Sequence, residues 1–147
     1  MTRLTKAVAL AAGLWSLAPA AAAAADSGIP VRIRVLKGSR QGPPGVAPVL
    51  RDLQAQLSAT AYVHWEQAGD LNAPMKFKQP VSVALPDGEK VVVTLLESRK
   101  DTATFEVQVP SSRTQSRLTI AKDKRIVHQV TAEKGGEAYF VTIRPWP

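Results

Sequence analysis

The stretch TAYVHWEQ, residues 60–67, contains a tyrosine, a histidine and a glutamate, the residue types that bind metal ions and transfer protons. Residues two apart on a β-strand share a face, so His64 and Glu66 would lie in one row with Tyr62, while Trp65 would point the other way. Such a row could bind a metal ion or transfer a proton. A hydrolytic or metal-assisted enzyme using this face is therefore one alternative for the function.

The second histidine limits that alternative. His128 belongs to another predicted strand, between Ile126 and Val130. A zinc site takes at least three protein ligands, and the two histidines would have to converge across the sheet to contribute to one. We therefore expect His64 and Glu66 on a solvated face, a partly buried His128, and neither a metal nor another cofactor.

Other catalytic groups are not indicated. The chain has no cysteine, which excludes disulfides and a thiol nucleophile. It has no Gly-x-Ser-x-Gly elbow, and its 12 acidic residues single out no pair for glycoside cleavage. The loop KGSRQGPPG has its lysine before the glycines, unlike a phosphate-binding loop. We predict that the protein is not an enzyme and has no catalytic residue.

Basic and aromatic side chains are the remaining candidates for contact. Arg32 and Arg34 alternate with apolar residues in VRIRVL, which is typical of a protected edge strand, with an anion-binding strip as the alternative. Two lysines flank Phe77, a residue that we expect in the core together with Trp65. Trp146 stands between prolines at the end of the chain and could be exposed. The candidate contact residues are Arg32, Arg34, His64, Glu66, Lys76, Lys78 and Trp146.

The first 25 residues predict export. A basic start with Arg3 and Lys6 is followed by an apolar run over residues 7–18 and by small residues up to Ala25, which is typical of a signal peptide. The run is short for a membrane span, so a retained signal anchor is the less favoured reading. Cleavage would leave 147 − 25 = 122 residues, 26–147, as one mature domain without a transmembrane segment.

The charge of that domain fits an envelope location. The signal peptide contains two of the 19 basic residues and none of the 12 acidic ones, so the mature charge is 17 − 12 = +5. The basic residues are dispersed, which argues against a nucleic-acid partner. The absence of cysteine favours a bacterial envelope over a eukaryotic extracellular space, so we expect a periplasmic or secreted protein.

The patterning predicts a mainly β fold of the α+β class. An amphipathic helix of about three turns should begin at Pro48 and present Leu50, Leu53 and Leu57. Short alternating segments separated by turns predict seven or eight strands in all, with AGDLNAP, residues 68–74, as a loop. We expect a curved antiparallel sheet, a sandwich or a partly closed barrel, with the single helix between strands 1 and 2 packed on one face or opening.

The segment VSVALPDGEKVVVTLLE, residues 81–97, predicts a hairpin with a three-residue loop at Pro86, Asp87 and Gly88. The register would then place Val83 opposite Val91 and Val81 opposite Val93. Val92 and Leu96 would share the second face, and we expect the leucine stripe of the helix, or a folded-back strand, to cover them.

Several segments together resemble a group of small secreted proteins. They are VRIRVLKGS, PVLRDLQAQL, AYVHWE, VALPDGEKVVVTL and GGEAYFVTIRP. The set is similar to uncharacterised secreted β-rich proteins of Gram-negative bacteria, of the delta-proteobacterial and myxobacterial type, over nearly the whole mature domain. The shared motifs are structural, namely a leucine-spaced helix, a Leu-Pro-x-Gly hairpin and a Gly-Gly turn. The resemblance implies no activity and no catalytic residue.

These observations favour a non-enzymatic exported domain that acts by contact, as a binding or assembly accessory. Its partner would be a protein or an anionic component of the envelope. Besides the enzyme alternative, a binder of anionic polymer or lipid through a basic strand face would use Arg32, Arg34, Lys76 and Lys78.

Overall fold

The computed structural model describes residues 28–147, so the predicted signal peptide lies outside the described residues. The described chain is mainly β, as expected, with nine strands and one short helix. The strands are β1 Ile29–Ser39, β2 Gly45–Val46, β3 His64–Met75, β4 Pro80–Ala84, β5 Lys90–Ser98, β6 Thr102–Val109, β7 Thr114–Ala121, β8 Ile126–Gln129 and β9 Glu137–Pro145.

The strands form two sheets. Sheet A has the order β2-β3-β1-β9-β8 and sheet B the order β4-β5-β6-β7. All strand pairs are antiparallel except the two-residue pairing of β2 with β3. The chain crosses from sheet A to sheet B between β3 and β4, and it returns between β7 and β8. Strands β7 and β8 are consequently the last strands of their sheets on the same side of the molecule.

Strand β1 lies in the centre of sheet A. Its apolar residues Val31, Ile33 and Val35 are buried in the core between the sheets, together with Val93 and Phe105 of sheet B. The predicted division of its two faces is confirmed. The edge-strand interpretation of its arginines is wrong, because β1 pairs along its whole length with β3 on one side and with β9 over nine residues on the other.

Strand β3 is longer than its sequence indicates. Residues 68–74, expected as a loop, continue the strand up to Met75, and they pair with β1. The register shifts between Val35 and Leu36 of β1, which leaves Ala68 as an extra residue in β3. The long apolar template of β1 thus holds a glycine- and proline-containing segment in extended form, and tertiary pairing overrides its weak strand propensity.

The hairpin of β4 and β5 is confirmed in its register. Val83 lies opposite Val91 and Val81 opposite Val93. The Leu85 N–H donates to the Glu89 carbonyl over 2.8 Å, and the Gly88 N–H donates to the Leu85 carbonyl over 3.0 Å. Gly88 has φ +92°, in the left-handed region that favours glycine, which explains the Pro-Asp-Gly loop.

The helix begins at Pro48 as predicted, but only its second half is α-helical. A 3-10 segment covers Pro48–Leu53, and helix α1 covers Gln54–Ser58. The spacing of the buried leucines matches this change, because Leu50 and Leu53 are three residues apart, while Leu53 and Leu57 are four apart. No helix in the described residues is long and apolar enough to cross a membrane.

The leucine stripe covers a different surface from the one expected. Leu50, Leu53 and Leu57 form a second core with Leu36, Tyr62, Trp65, Ala138 and Phe140 on the outer face of sheet A. The prediction that they cover Val92 and Leu96 is wrong, and those two residues stay half-buried in sheet B. The molecule therefore has three layers, with the helix on sheet A and sheet A on sheet B.

Candidate functional site

His64 and Glu66 lie on the same face of β3 and contact each other. The His64 Nε2 atom lies 3.1 Å from Glu66 Oε1, and Nδ1 lies 3.0 Å from the Pro43 carbonyl oxygen. Both partners are acceptors, so both hydrogen bonds form only when the imidazole is doubly protonated. These bonds, first that to Glu66 and then that to Pro43, raise the pKa of His64. A histidine held as a cation is a poor general base.

Tyr62 does not complete the expected row. The residue precedes β3, which begins at His64, and its ring is buried edge-on against Trp65 and Phe140, with centroid distances of 5.9 and 5.4 Å. Burial raises the pKa of its hydroxyl. The alternation fails because the chain turns into the strand at this point, so that Tyr62 joins Trp65 in the second core. The proposed Tyr62, His64 and Glu66 face is therefore reduced to one ion pair.

The two histidines are far apart in the sheet. His64 is on β3 and His128 on β8, separated by β1 and β9, which amounts to roughly 14 Å across three strand spacings. His128 is half-buried as predicted, and its burial lowers its pKa. No group of three histidine or acidic residues within residues 28–147 is arranged to hold a metal ion.

The two arginines of β1 are structural. Arg32 is held by Asp70, with Nε–Oδ1 and Nη2–Oδ2 distances of 3.0 and 2.7 Å. Arg34, with 3% of its side chain exposed, is held by Asp52 of the 3-10 segment, with Nη2–Oδ2 at 2.6 Å and Nη1–Oδ1 at 3.2 Å. Arg125 also contacts Asp52. These bonds attach the 3-10 segment to sheet A, and the strand face offers no free cationic strip.

Lys76 and Lys78 lie in the connection between β3 and β4, where both side chains are exposed. Phe77 between them was expected in the core, but 43% of it is exposed. It bridges to Leu95 of β5 by a backbone pairing, and this position at the corner between the sheets keeps its ring outside both cores. Trp146, considered as an exposed contact residue, is half-buried against the core between the sheets.

A cleft that the sequence did not indicate lies at the far end of the molecule from Lys76. It consists of two adjoining cavities of about 480 and 410 Å³. We call it the end cleft. It is lined by Asp87, Glu89, Val107, Val109, Ser112, Thr114, Ser116, His128, Gln129, Val130, Thr131, Ala132, Glu133, Lys134, Glu137 and Tyr139.

The elements around the end cleft explain its shape. The β4–β5 hairpin and a 3-10 turn, Pro110–Ser112, form one wall, and the segment between β8 and β9 forms the other. Buried Val107, Val109 and Val130 supply its apolar part. Strands β7 and β8, the last strands of their sheets, border it with Thr114 and Ser116 of β7 and with His128 and Gln129 of β8.

The lining of the cleft contains four carboxylates. Glu133 and Glu137 are paired with Arg40 and Lys37, respectively, and the bond from Arg40 is the first cause of the lowered pKa of Glu133. Asp87 and Glu89 form no ion pair with any described residue. Asp87 Oδ1 only accepts the Glu89 N–H over 3.0 Å, within their own turn. Two carboxylates thus remain available on the hairpin wall.

Two turns that the sequence does indicate supply much of this lining. The Pro-Asp-Gly loop and the Glu133–Glu137 turn both contain acidic residues, and both can be predicted as turns from the sequence. They are 45 residues apart in the chain. Their proximity follows from the stacking of the two sheets, which no local pattern encodes. No protein-family model, curated protein or solved structure matches this chain.

Proposed function

We propose that the protein is an exported, non-enzymatic domain of the bacterial envelope or the secreted fraction, which acts as a binding or assembly accessory. The end cleft is the observation that carries this proposal. It is preformed, has the size of ordinary binding sites, and combines an apolar floor with a few polar groups at its rim. The predicted signal peptide supports export.

An extended polypeptide segment of a partner protein fits the end cleft best. Its two cavities share Ser112, Val130, Thr131 and Ala132 and so follow one another along the gap between β7 and β8. The outer edges of both strands have unpaired backbone groups, which an extended chain can satisfy by strand addition. Alternate apolar side chains of that segment would contact Val130 and Tyr139.

The carboxylates of the rim favour a basic segment. Asp87 and Glu89 stand on the hairpin wall without a described cationic partner, and Lys134 is the single basic residue of the lining. The whole described domain has a positive charge, so nonspecific attraction would favour an acidic peptide instead. A preference for basic peptides would therefore identify the cleft.

The test uses the protein purified after export and a fluorescein-labelled heptapeptide of alternating lysine and valine. Fluorescence anisotropy should detect binding at least tenfold tighter than that of the glutamate–valine counterpart. The double variant Asp87→Lys, Glu89→Lys should lose at least tenfold in affinity. A matched control, Asp101→Lys with Glu106→Lys, makes the same change of charge outside the cleft and should bind as the wild type does.

Equal binding of the two peptides, or equal losses in the variant and its control, would reject the cleft as the site. The enzyme alternative has its own test. If the purified protein turned over ester, glycoside or peptide substrates and lost that activity on His64→Ala, the non-enzymatic function would be wrong. The hydrogen bonds of His64 argue against this outcome, since both ring nitrogens face acceptors, the Pro43 carbonyl and Glu66, and act as donors when both bonds form.

A further inference from the structure

The corner between β3 and β4 presents an aromatic ring between two cations. Lys76, Phe77 and Lys78, which we call the basic corner, are all exposed. No ion pair joins either lysine to another residue in the part of the chain that the structure describes. Phe77 is one of only three large apolar residues exposed among residues 28–147.

The backbone fixes the basic corner in this shape. Lys78 has φ +59°, a left-handed conformation that is unfavourable for a residue with a side chain. Its N–H donates to the Leu95 carbonyl over 2.8 Å, and the Gln79 N–H donates to the Lys76 carbonyl over 3.3 Å. The corner is thus attached to sheet B while its three side chains point to solvent.

The same end of the molecule is basic beyond the corner. The β5–β6 turn begins at Arg99, four residues after Leu95. The β7–β8 turn adjoins it through a 2.7 Å hydrogen bond from the Lys122 N–H to the Asp101 carbonyl. The basic residues of this end outnumber the acidic ones. The basic residues are Lys76, Lys78, Arg99, Lys100, Lys122, Lys124 and Arg125, the last paired with Asp52, and the acidic residues are Glu97, Asp101 and Asp123. The end cleft, at the opposite end, has the reverse bias.

The chain enters the domain at the basic corner. Gly28, the first described residue, packs so closely there that an added Cβ would clash with the Met75 carbonyl oxygen and would lie 3.1 Å from the Lys76 Cα. The described chain therefore begins beside the lysines, so the predicted signal peptide, which precedes it in the sequence, would bring this end of the domain to the membrane during export.

We propose that the basic corner docks on the surface of a bilayer containing anionic phospholipid. The two ammonium groups would lie at the lipid phosphates, and the Phe77 ring would enter the boundary between headgroups and acyl chains. An acidic polysaccharide could neutralise the lysines but would offer no apolar layer for the ring. This surface replaces the basic strand face, whose arginines are held by aspartates.

The test is sedimentation with vesicles, using the protein purified after export. Vesicles of phosphatidylcholine with 30% phosphatidylglycerol should bind the protein, and pure phosphatidylcholine vesicles should not. Raising sodium chloride from 50 to 500 mM should release it, because screening shortens the reach of surface charges to below about 10 Å. Lys76→Glu with Lys78→Glu should lower the partition coefficient at least tenfold, and Phe77→Ser should lower it roughly threefold or more.

The control is Arg51→Glu with Lys90→Glu, which makes the same change of charge at two exposed positions away from the corner and should bind vesicles almost as the wild type does. Near-ultraviolet circular dichroism should be the same for every variant. Equal losses in the control would overturn the proposal, since net charge alone would then explain binding. Unchanged binding of Phe77→Ser, with retention on an acidic polysaccharide column that depends on the lysines, would assign the corner to a polysaccharide instead.

Discussion

Gly38 is a position at which one added methyl group should destabilise the fold by crowding side chains alone, without strain in its own backbone. It lies in β1 directly opposite Trp65 of β3 and Ala138 of β9. The rings of Trp65 and Tyr62 lie over it, and both belong to the second core with Phe140. Gly38→Ala therefore places a methyl group under two aromatic rings that are already packed.

The distances give the size of the effect. The new Cβ would lie 3.0 Å from Trp65 Cη2, 3.1 Å from Cζ3 and 3.2 Å from Tyr62 Cγ. Favourable carbon contacts are about 3.5–4.0 Å, so both rings must shift. Overpacking of this kind destabilises a protein by about 1–3 kcal/mol. Replacing glycine by alanine also lowers the conformational entropy of the unfolded chain, which stabilises the fold by about 0.4–1 kcal/mol. We expect a net loss of about 1–2 kcal/mol in the free energy of unfolding.

Gly69 provides the matched control. It lies in β3, and a Cβ there would be 3.5 Å from both Cβ and Cγ2 of Val35, which is ordinary contact. Gly69→Ala should be neutral or should stabilise by up to about 1 kcal/mol. Urea unfolding followed by tryptophan fluorescence measures both variants. If Gly38→Ala is as stable as the wild type, or if Gly69→Ala loses as much free energy of unfolding as Gly38→Ala does, contacts with the aromatic rings do not determine the effect.

Further predictions concern buried charge, pH and the core. Asp52→Asn should lower the free energy of unfolding by about 2–3 kcal/mol, because it leaves Arg34, with a side chain only 3% exposed, without its carboxylate; Asp52 itself is 38% exposed. Asp70→Asn should cost less than about 1 kcal/mol in the same urea unfolding experiment, because the side chain of Arg32 is 29% exposed. The raised pKa of His64 stabilises the folded protein below the unfolded value of about 6.5 and loses this effect as pH rises through the folded value, so His64→Gln should lower the urea midpoint at pH 5.5 and not at pH 9. The lowered pKa of His128 has the opposite sign, so His128→Gln should reduce the stability lost on acidification below about pH 6.5; equal pH profiles for the two variants would contradict both assignments. Val93→Asp puts a carboxylate into the core between the sheets and should abolish the cooperative unfolding transition seen by circular dichroism.

The local patterns of turn residues and of alternating apolar residues predict much of the fold. The loop chemistry of Pro-Asp-Gly fixes the register of the β4–β5 hairpin, and the alternation in β1 separates its two apolar environments correctly. The helix position follows from Pro48 and the leucine spacing. The sequence does not predict what lies over each face, because sheet order depends on pairing between distant segments. Hence β1 turned out to be central, and residues 68–74 became strand through their pairing with it.

Less of the site could be predicted, because it also depends on contacts between segments that are distant in the chain. The proximity of His64 and Glu66 was predicted correctly, because residues two apart on a strand share a face. The sequence does not predict the ion pair of Arg34, since Asp52, its partner, lies on another element. The end cleft joins two turns that are distant in the chain, and it became visible only once both sheets were stacked.

If the end cleft binds an extended polypeptide segment, titration with the lysine–valine heptapeptide should perturb the amide chemical shifts of residues 107–116 and 128–139 and of the 87–89 loop. The amides of the basic corner should not change. Perturbations that avoid these segments, or that spread evenly over the surface, would show that the peptide does not bind in the cleft.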